Sequence, residues 1–66
     1  MLTYLLTVID KETKLPVERL TVTTASAAME AIPRLLEQHP GCERITVHAG
    51  AMYLFSVDCK GETIPD

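Results

Sequence analysis

Residues 2–9, Leu-Thr-Tyr-Leu-Leu-Thr-Val-Ile, form the stretch that decides the fold. Alternate positions from Leu2 to Val8 are apolar, which is the period of a β-strand. The other alternate set also contains two apolar residues, Leu5 and Ile9. A strand that is apolar on both faces is typical of the centre of a sheet, so we expect this strand there.

The next part of the sequence predicts a hairpin. Residues 10–14 are polar and long enough for a loop, and residues 15–24 have the composition of a second strand. Pro16 has no N–H for a ladder, and the charged pair Glu18 and Arg19 suits solvent. We therefore expect the second strand at an edge of the sheet.

One helix is predicted over residues 27–39. Ser26 is the expected N-cap, because its hydroxyl can accept a hydrogen bond from the free amides of the first turn. Pro33 lies on the polar side and predicts a kink, with a helix that restarts at Pro33 as the alternative. One face of the helix carries the recurring positions Ala28, Ile32, Leu35, Leu36 and His39. We expect His39 to interact with the last carbonyls of the helix.

The rest of the chain predicts a second hairpin, with strands at 43–49 and 52–59, and a short optional fifth strand at 62–64. Gly50 marks the tight turn between the third and fourth strands. Ile45 and Val47 are expected to face inward.

The register of this second hairpin decides whether the two cysteines meet. A two-residue turn would place Cys42 directly opposite Cys59, close enough for a disulfide. A three-residue or bulged connection would place them on different sides. We favour the second form, because it pairs the inward residues of the third strand with Phe55 and Tyr53, and so we predict two free thiols.

These elements predict one α+β domain over residues 1–66, with the order ββαββ. We expect two layers, with one helix on a four-stranded mixed sheet. A right-handed crossover would place strand 4 parallel to strand 1, which gives the spatial order 2-1-4-3 and puts the two most apolar strands at the centre. This plan resembles a reduced ubiquitin-like β-grasp. A ferredoxin-like half is the rival arrangement.

Composition and charge exclude several classes of protein. The chain has 66 residues, of which 47% are hydrophobic and 23% charged, as in ordinary folded domains. The net charge of −3 and the scattered Lys and Arg residues disfavour direct binding of nucleic acid. The chain has no apolar run long enough to cross a membrane, and its start lacks the features of a signal peptide, so we expect a cytoplasmic protein.

The residue types that carry chemistry form no catalytic or metal-binding pattern. Among the histidines and cysteines, only His39 and Cys42 have a local spacing that suits zinc. No phosphate-binding glycine loop and no activated-nucleophile motif occurs. We therefore expect no enzyme activity, no cofactor and no metal.

The size, mild acidity and motif-poor plan of the chain resemble the anti-CRISPR proteins of phages and mobile elements. The resemblance rests on the first strand at Leu2–Val8, the helix at Ser26–His39 and the second hairpin at Ile45–Val57. It implies an inhibitor in the host cytoplasm that binds a subunit of a Cas surveillance complex with a basic DNA-binding surface, and thereby blocks DNA recognition.

One helix covers only one face of a sheet, so apolar residues of the first and fourth strands should line the other face. Carboxylates should gather at one end of the sheet, in the loops after strands 1 and 4. The expected partner-binding residues are Asp10, Glu12, Leu54, Phe55, Asp58 and Glu62. The alternative function is a self-associating module that forms a homodimer through the open sheet face. We favour a monomer.

Overall fold

The computed structural model describes residues 3–64 and contains five strands and one helix. The strands are β1 (Tyr4–Asp10), β2 (Pro16–Val22), β3 (Cys42–Ala49), β4 (Met52–Val57) and β5 (Thr63–Ile64), and the helix is α1 (Ala25–Gln38). The α+β class and the single helix are confirmed. The optional fifth strand forms as β5, which pairs with the end of β4.

The predicted strand order is wrong. The sheet has the order β2-β1-β3-β4-β5, and its neighbouring strands are all antiparallel. The third strand, rather than the fourth, pairs with β1, from Tyr4 opposite Ala49 to Asp10 opposite Cys42. The parallel pair on which the β-grasp comparison depended is therefore absent from the described strands, whereas the edge position of β2 is confirmed.

The short connection after the helix favours this order. Three residues separate Gln38 from Cys42, and a chain of this length spans at most about 14 Å. The connection must descend from the helix to the sheet and then reach a free strand position. A strand on the free side of β1 lies one strand spacing from β1, about 4.8 Å. The predicted order would put β3 two spacings from β1.

Helix α1 begins two residues earlier than expected. Its N-cap is Thr24, whose Oγ1 accepts a hydrogen bond of 3.0 Å from the backbone N–H of Ala27. Ser26, the expected cap, lies inside the first turn. The helix continues through Pro33 to Gln38, so the helix does not restart there.

The core lies between α1 and the facing side of the sheet. β1 and β3 contribute alternate residues, as their sequence pattern predicts, and the helix contributes one face. The buried apolar residues are Leu6, Val8, Ala28, Ala31, Ile32, Leu35, Cys42, Ile45, Val47 and Val57. The helix packs closest to β1 and β2, so it lies off-centre on the sheet.

The second hairpin combines a two-residue turn with a bulge. Gly50 has a φ of 61° at the first turn position, where a type II′ turn favours glycine. The register then shifts after Val47, because Leu54 is an extra residue in β4, and Val47 lies opposite Phe55. The three-residue pairing is therefore wrong, whereas a bulge, the other form of the favoured prediction, is present. The prediction of two free thiols is confirmed: Cys42 is buried and Cys59 is exposed.

With 14 residues, α1 is shorter than a bilayer crossing requires, and no other helix lies within residues 3–64.

Candidate binding surfaces

An apolar groove lies between α1 and β4, because the helix is displaced toward β2. We call it the α1–β4 groove. One half, of about 210 Å³, is lined by Tyr4, Met29, Leu54 and Phe55 among others. The other half, of about 280 Å³, also includes Met29 and Phe55, and it ends at the loop after β4.

The groove is apolar because one flank of the helix is. Ala25, Met29 and Leu36 follow one another at spacings of four and seven residues, which places them on the side of α1 that faces β4. Met29 is 58% exposed and Leu54 is 41% exposed. These side chains are apolar surface that the fold itself does not cover.

Pro33 gives this flank an unusual backbone. A proline has no N–H, so the carbonyl of Met29 receives no helical hydrogen bond from four residues ahead. Pro33 itself is exposed and lines the groove. The Met29 carbonyl therefore lacks its usual helical donor beside an apolar groove.

The structure brings some of the expected partner-binding residues together and separates others. Leu54 and Phe55 line the same groove. The loop that contains Asp58 and Glu62 borders its far end, where Lys60 and Gly61 are lining residues.

The other two expected residues lie apart from the groove. Asp10 and Glu12 line a separate concave surface of about 440 Å³, together with His39 and Cys42. The loops after β1 and β4 do share one end of the sheet, as expected, because both strands run antiparallel to β3.

Two of the expected carboxylates bind their own loops. Asp10 Oδ2 accepts hydrogen bonds from the backbone N–H groups of Glu12 (3.0 Å) and Thr13 (2.9 Å). Asp58 Oδ1 accepts from those of Lys60 (2.9 Å) and Glu62 (3.0 Å). These bonds organise the two loops and leave the two aspartates less available to a partner.

The same bonds stabilise the charged form of each carboxyl group. The pKa of Asp10 is lowered, chiefly by the N–H of Thr13. The pKa of Asp58 is lowered chiefly by the N–H of Glu62, and then by that of Lys60. Both aspartates therefore stabilise their loops in the charged form.

His39 closes the helix in a different way from the one expected. Its backbone N–H donates to the carbonyl of Leu35 at 2.9 Å. Its ring Nε2 lies 2.9 Å from Oε1 of Glu18 on β2, so the side chain links the end of the helix to the edge strand. The expected contact of the ring with the last helical carbonyls is replaced by this bond.

The cysteines and histidines do not assemble a metal site. Within residues 3–64, no group of three or more His, Cys, Asp and Glu side chains is placed to hold a metal ion. Burial, and to a smaller degree the nearby Cys59 thiol, raises the pKa of Cys42. A buried thiol of raised pKa is a poor nucleophile and a poor metal ligand.

The sheet face turned away from α1, which we call the open face, is less apolar than expected. Phe55 and Val57 pack on the helix side instead. A row of small hydroxyl residues, Thr7, Thr46 and Ser56, crosses the middle of the open face. Its other strand residues are Leu5, Ile9, Arg19, Thr21, Arg44, His48, Tyr53 and Ile64.

Sequence reasoning missed Tyr4, Met29 and Leu36 as groove residues. The signal was present for the helix, since its apolar arc is wider than the face that one sheet can cover. Met29 falls outside that face and is nonetheless apolar.

No protein-family model, no curated protein and no solved structure matches this chain.

Proposed function

We propose that this chain is a small non-enzymatic binding protein whose α1–β4 groove receives an apolar segment of a larger protein. The observation that carries the proposal is the exposure of Met29 (58%) and Leu54 (41%) on the two sides of one groove. Exposed apolar residues that adjoin one another on a small domain are typical of protein interfaces. Grooves of this kind receive amphipathic helices through regularly spaced apolar anchors.

The net charge of the chain favours a basic partner over a second copy of the chain. The lining of the groove contains one charged side chain, Lys60. Exposed carboxylates directly follow two lining residues in sequence, Glu37 after Leu36 and Glu62 after Gly61. Two copies, each with a net charge of −3, would repel one another, whereas a basic surface would be attracted.

In the form that the resemblance to anti-CRISPR proteins implies, the partner is a Cas surveillance complex. The chain would occupy a basic surface that otherwise receives DNA, and it would act in the cytoplasm of the host cell. Size, acidity and the single-helix α+β plan support this form of the proposal.

The test uses purified Cas surveillance complexes of several types and a labelled target DNA. We expect the full chain to prevent DNA binding by at least one complex in a mobility-shift assay. Leu54→Glu and Met29→Glu should weaken that inhibition at least tenfold, because each buries a charge in the interface. The matched control is Leu15→Glu, since Leu15 is 62% exposed beside the opposite edge strand. Circular dichroism establishes that each variant is folded.

If Leu15→Glu weakens the inhibition as much as Leu54→Glu does, the groove is excluded as the binding site. Failure to affect any of the complexes would overturn the anti-CRISPR form of the proposal. Light scattering distinguishes self-association. A mass of 7.3 kDa supports a separate partner, and a dimer that Leu54→Glu dissociates would establish the homodimer instead.

A further inference from the structure

The arginines of the sheet lie on its open face. Arg19 on β2 is opposite Thr7, and Arg44 on β3 is opposite Ile9. Both arginine side chains are exposed, and within residues 3–64 neither forms an ion pair.

The carboxylates of the strands are bonded elsewhere. Glu18 binds the ring of His39 on the helix side, and Glu43 pairs with Lys14 of the first loop. Asp10 accepts bonds from its own loop. The open face of this acidic protein is therefore locally basic.

Tyr53 supplies a fixed aromatic ring on the same face. Its hydroxyl lies 2.7 Å from Oγ of Ser56, three residues further along β4. The ring of His48 meets it edge-on, with centroids 5.5 Å apart and an interplanar angle of 70°. Because the side chain is held at its tip and at its side, the ring extends along the strand, and 41% of the residue stays exposed.

The residues between the arginines and this ring are small. Arg19, Thr7, Thr46 and Ser56 form one cross-strand row, so the guanidinium and the tyrosine are separated by hydroxyl side chains. The row spans about 14 Å, or three strand spacings. A row of small side chains leaves room for an extended chain across the strands.

We propose that the open face binds a short single-stranded nucleic acid, with Arg19 and Arg44 at its phosphates and a base stacked on Tyr53. Fixed aromatic rings beside arginines are the combination that single strands require, because each base offers a π-face and each link a negative charge. An acidic peptide would use the arginines but would have no partner for the ring. The proposal is independent of the α1–β4 groove.

The net charge does not prevent this binding. The prediction of no direct nucleic-acid contact rests on the net charge of the whole chain and on the scatter of its Lys and Arg residues along the sequence. The carboxylates of α1 lie on the opposite side of the sheet, about 10 Å or more away. The Debye length at physiological salt is about 8 Å, so those carboxylates are largely screened from a ligand on the open face.

The experiment measures the fluorescence anisotropy of labelled oligothymidine and oligouridine of about ten nucleotides, titrated with the full chain at about 50 mM salt. Arg19→Gln combined with Arg44→Gln should lower the affinity at least tenfold. Two phosphate contacts predict a slope of about −1.4 for log K against log salt, and the double variant should bring this slope close to zero. Arg34→Gln is the matched control, since it removes an exposed arginine from the helix and should leave binding unchanged.

Tyrosine variants test the stacking. Tyr53→Leu should weaken binding by a factor on the order of ten, whereas Tyr53→Phe, which keeps the ring, should retain most of the affinity. Leu54→Glu should have no effect on oligonucleotide binding. This variant therefore distinguishes the test of the open face from the test of the α1–β4 groove.

Three results would overturn the proposal. One is the absence of saturable binding at low salt. Another is equal weakening by Arg34→Gln and by the double arginine variant. The third is displacement of the oligonucleotide by a polyglutamate peptide of equal charge as readily as by unlabelled oligonucleotide, which would assign the face to an acidic protein. Each variant is first shown to be folded by circular dichroism.

Discussion

Lys14 is the one non-glycine residue of the described chain with a positive φ, at 61°. It closes the first hairpin loop, where its N–H donates to the carbonyl of Asp10 at 3.0 Å. For a residue with a Cβ this conformation costs about 1–2 kcal/mol. The ion pair of Lys14 with Glu43 is exposed and offsets only part of that cost.

Lys14→Gly should therefore be more stable than Lys14→Ala by about 1 kcal/mol, because both variants lose the ion pair but only glycine relieves the backbone. The measurement is the free energy of unfolding in urea. Equal stability of the two variants would show that the loop does not hold this residue in the left-handed conformation.

The two loop aspartates make stability depend on pH. The pKa of each is lowered from the usual 3.8 in the folded state by backbone N–H groups, chiefly that of Thr13 for Asp10 and that of Glu62 for Asp58. A carboxyl group with a lowered folded pKa stabilises the fold above its unfolded pKa. That contribution is lost as the pH falls through the folded pKa.

We expect the urea midpoint to fall between about pH 6 and about pH 3, and to fall less in a variant with both Asp10→Asn and Asp58→Asn. Glu12→Gln is the control, since this exposed side chain forms no hydrogen bond within residues 3–64. If the urea midpoint of the double variant falls as much in acid as that of the wild type, Asp10 and Asp58 do not cause the pH dependence.

Two hydroxyl residues near the start of the helix have different roles. Thr24 accepts the capping bond from Ala27, whereas Ser26 lies inside the first turn. Thr24→Ala should therefore cost about 1 kcal/mol of stability, and Ser26→Ala should cost little or nothing. Thermal unfolding followed at 222 nm measures both. A larger loss of stability in Ser26→Ala than in Thr24→Ala would show that Ser26 is the N-cap.

At the level of elements, the sequence predicts local structure better than strand order. The alternation of β1 and the proline at the start of β2 were sufficient to place a central strand and an edge strand. The predicted order is wrong because the crossover rule does not determine which strand joins β1, and the apolar content of β4 agrees with a central position without requiring it. Several of those apolar residues, including Leu54 and Phe55, instead line the groove beside the helix.

The favoured register allows a bulged connection, but the position of the bulge in β4 could not be predicted. A run such as Tyr53-Leu54-Phe55 is apolar in every register, so its pattern does not show which residue is extra. The two-residue turn at Gly50 was one of the two forms considered, and the shift at Leu54 then changed the pairing of Val47. Turn chemistry is local, whereas a bulge is chosen by the packing of the whole hairpin.

For the whole molecule, the core is small enough that one side chain matters to all of it. Leu35 is 3% exposed within the core, whereas Leu36 is only partly buried beside the groove. Leu35→Ala should cost about 2–5 kcal/mol, close to the entire stability of a domain this size.

Leu36→Ala should cost clearly less, although the sequence pattern placed both leucines on the same face. The comparison uses urea unfolding in the presence of sucrose, which keeps a weak variant folded. Equal losses of stability in the two variants would show that Leu36 belongs to the core and does not line the groove.

The candidate sites were predictable only in part, for a reason that lies at this scale. Leu54 and Phe55 could be proposed from the sequence, because the first and fourth strands contain more apolar residues than one helix can cover. The separation of Asp10 from the groove depends on strand order. The concentration of Arg19 and Arg44 on one face depends on register, and total charge contains no information about either.

The pairing of β1 with β3 has a consequence for how the chain folds. This central seam joins residues that are far apart in sequence, from Asp10 with Cys42 to Tyr4 with Ala49. The two hairpins and the helix are local, and each can begin to form early, but none encloses a core alone. The rate-limiting step should be the closure of this seam, whose entropic cost grows with the length of the intervening loop. A chain cut between α1 and β3 should consequently leave two unstructured fragments that regain the fold only when mixed.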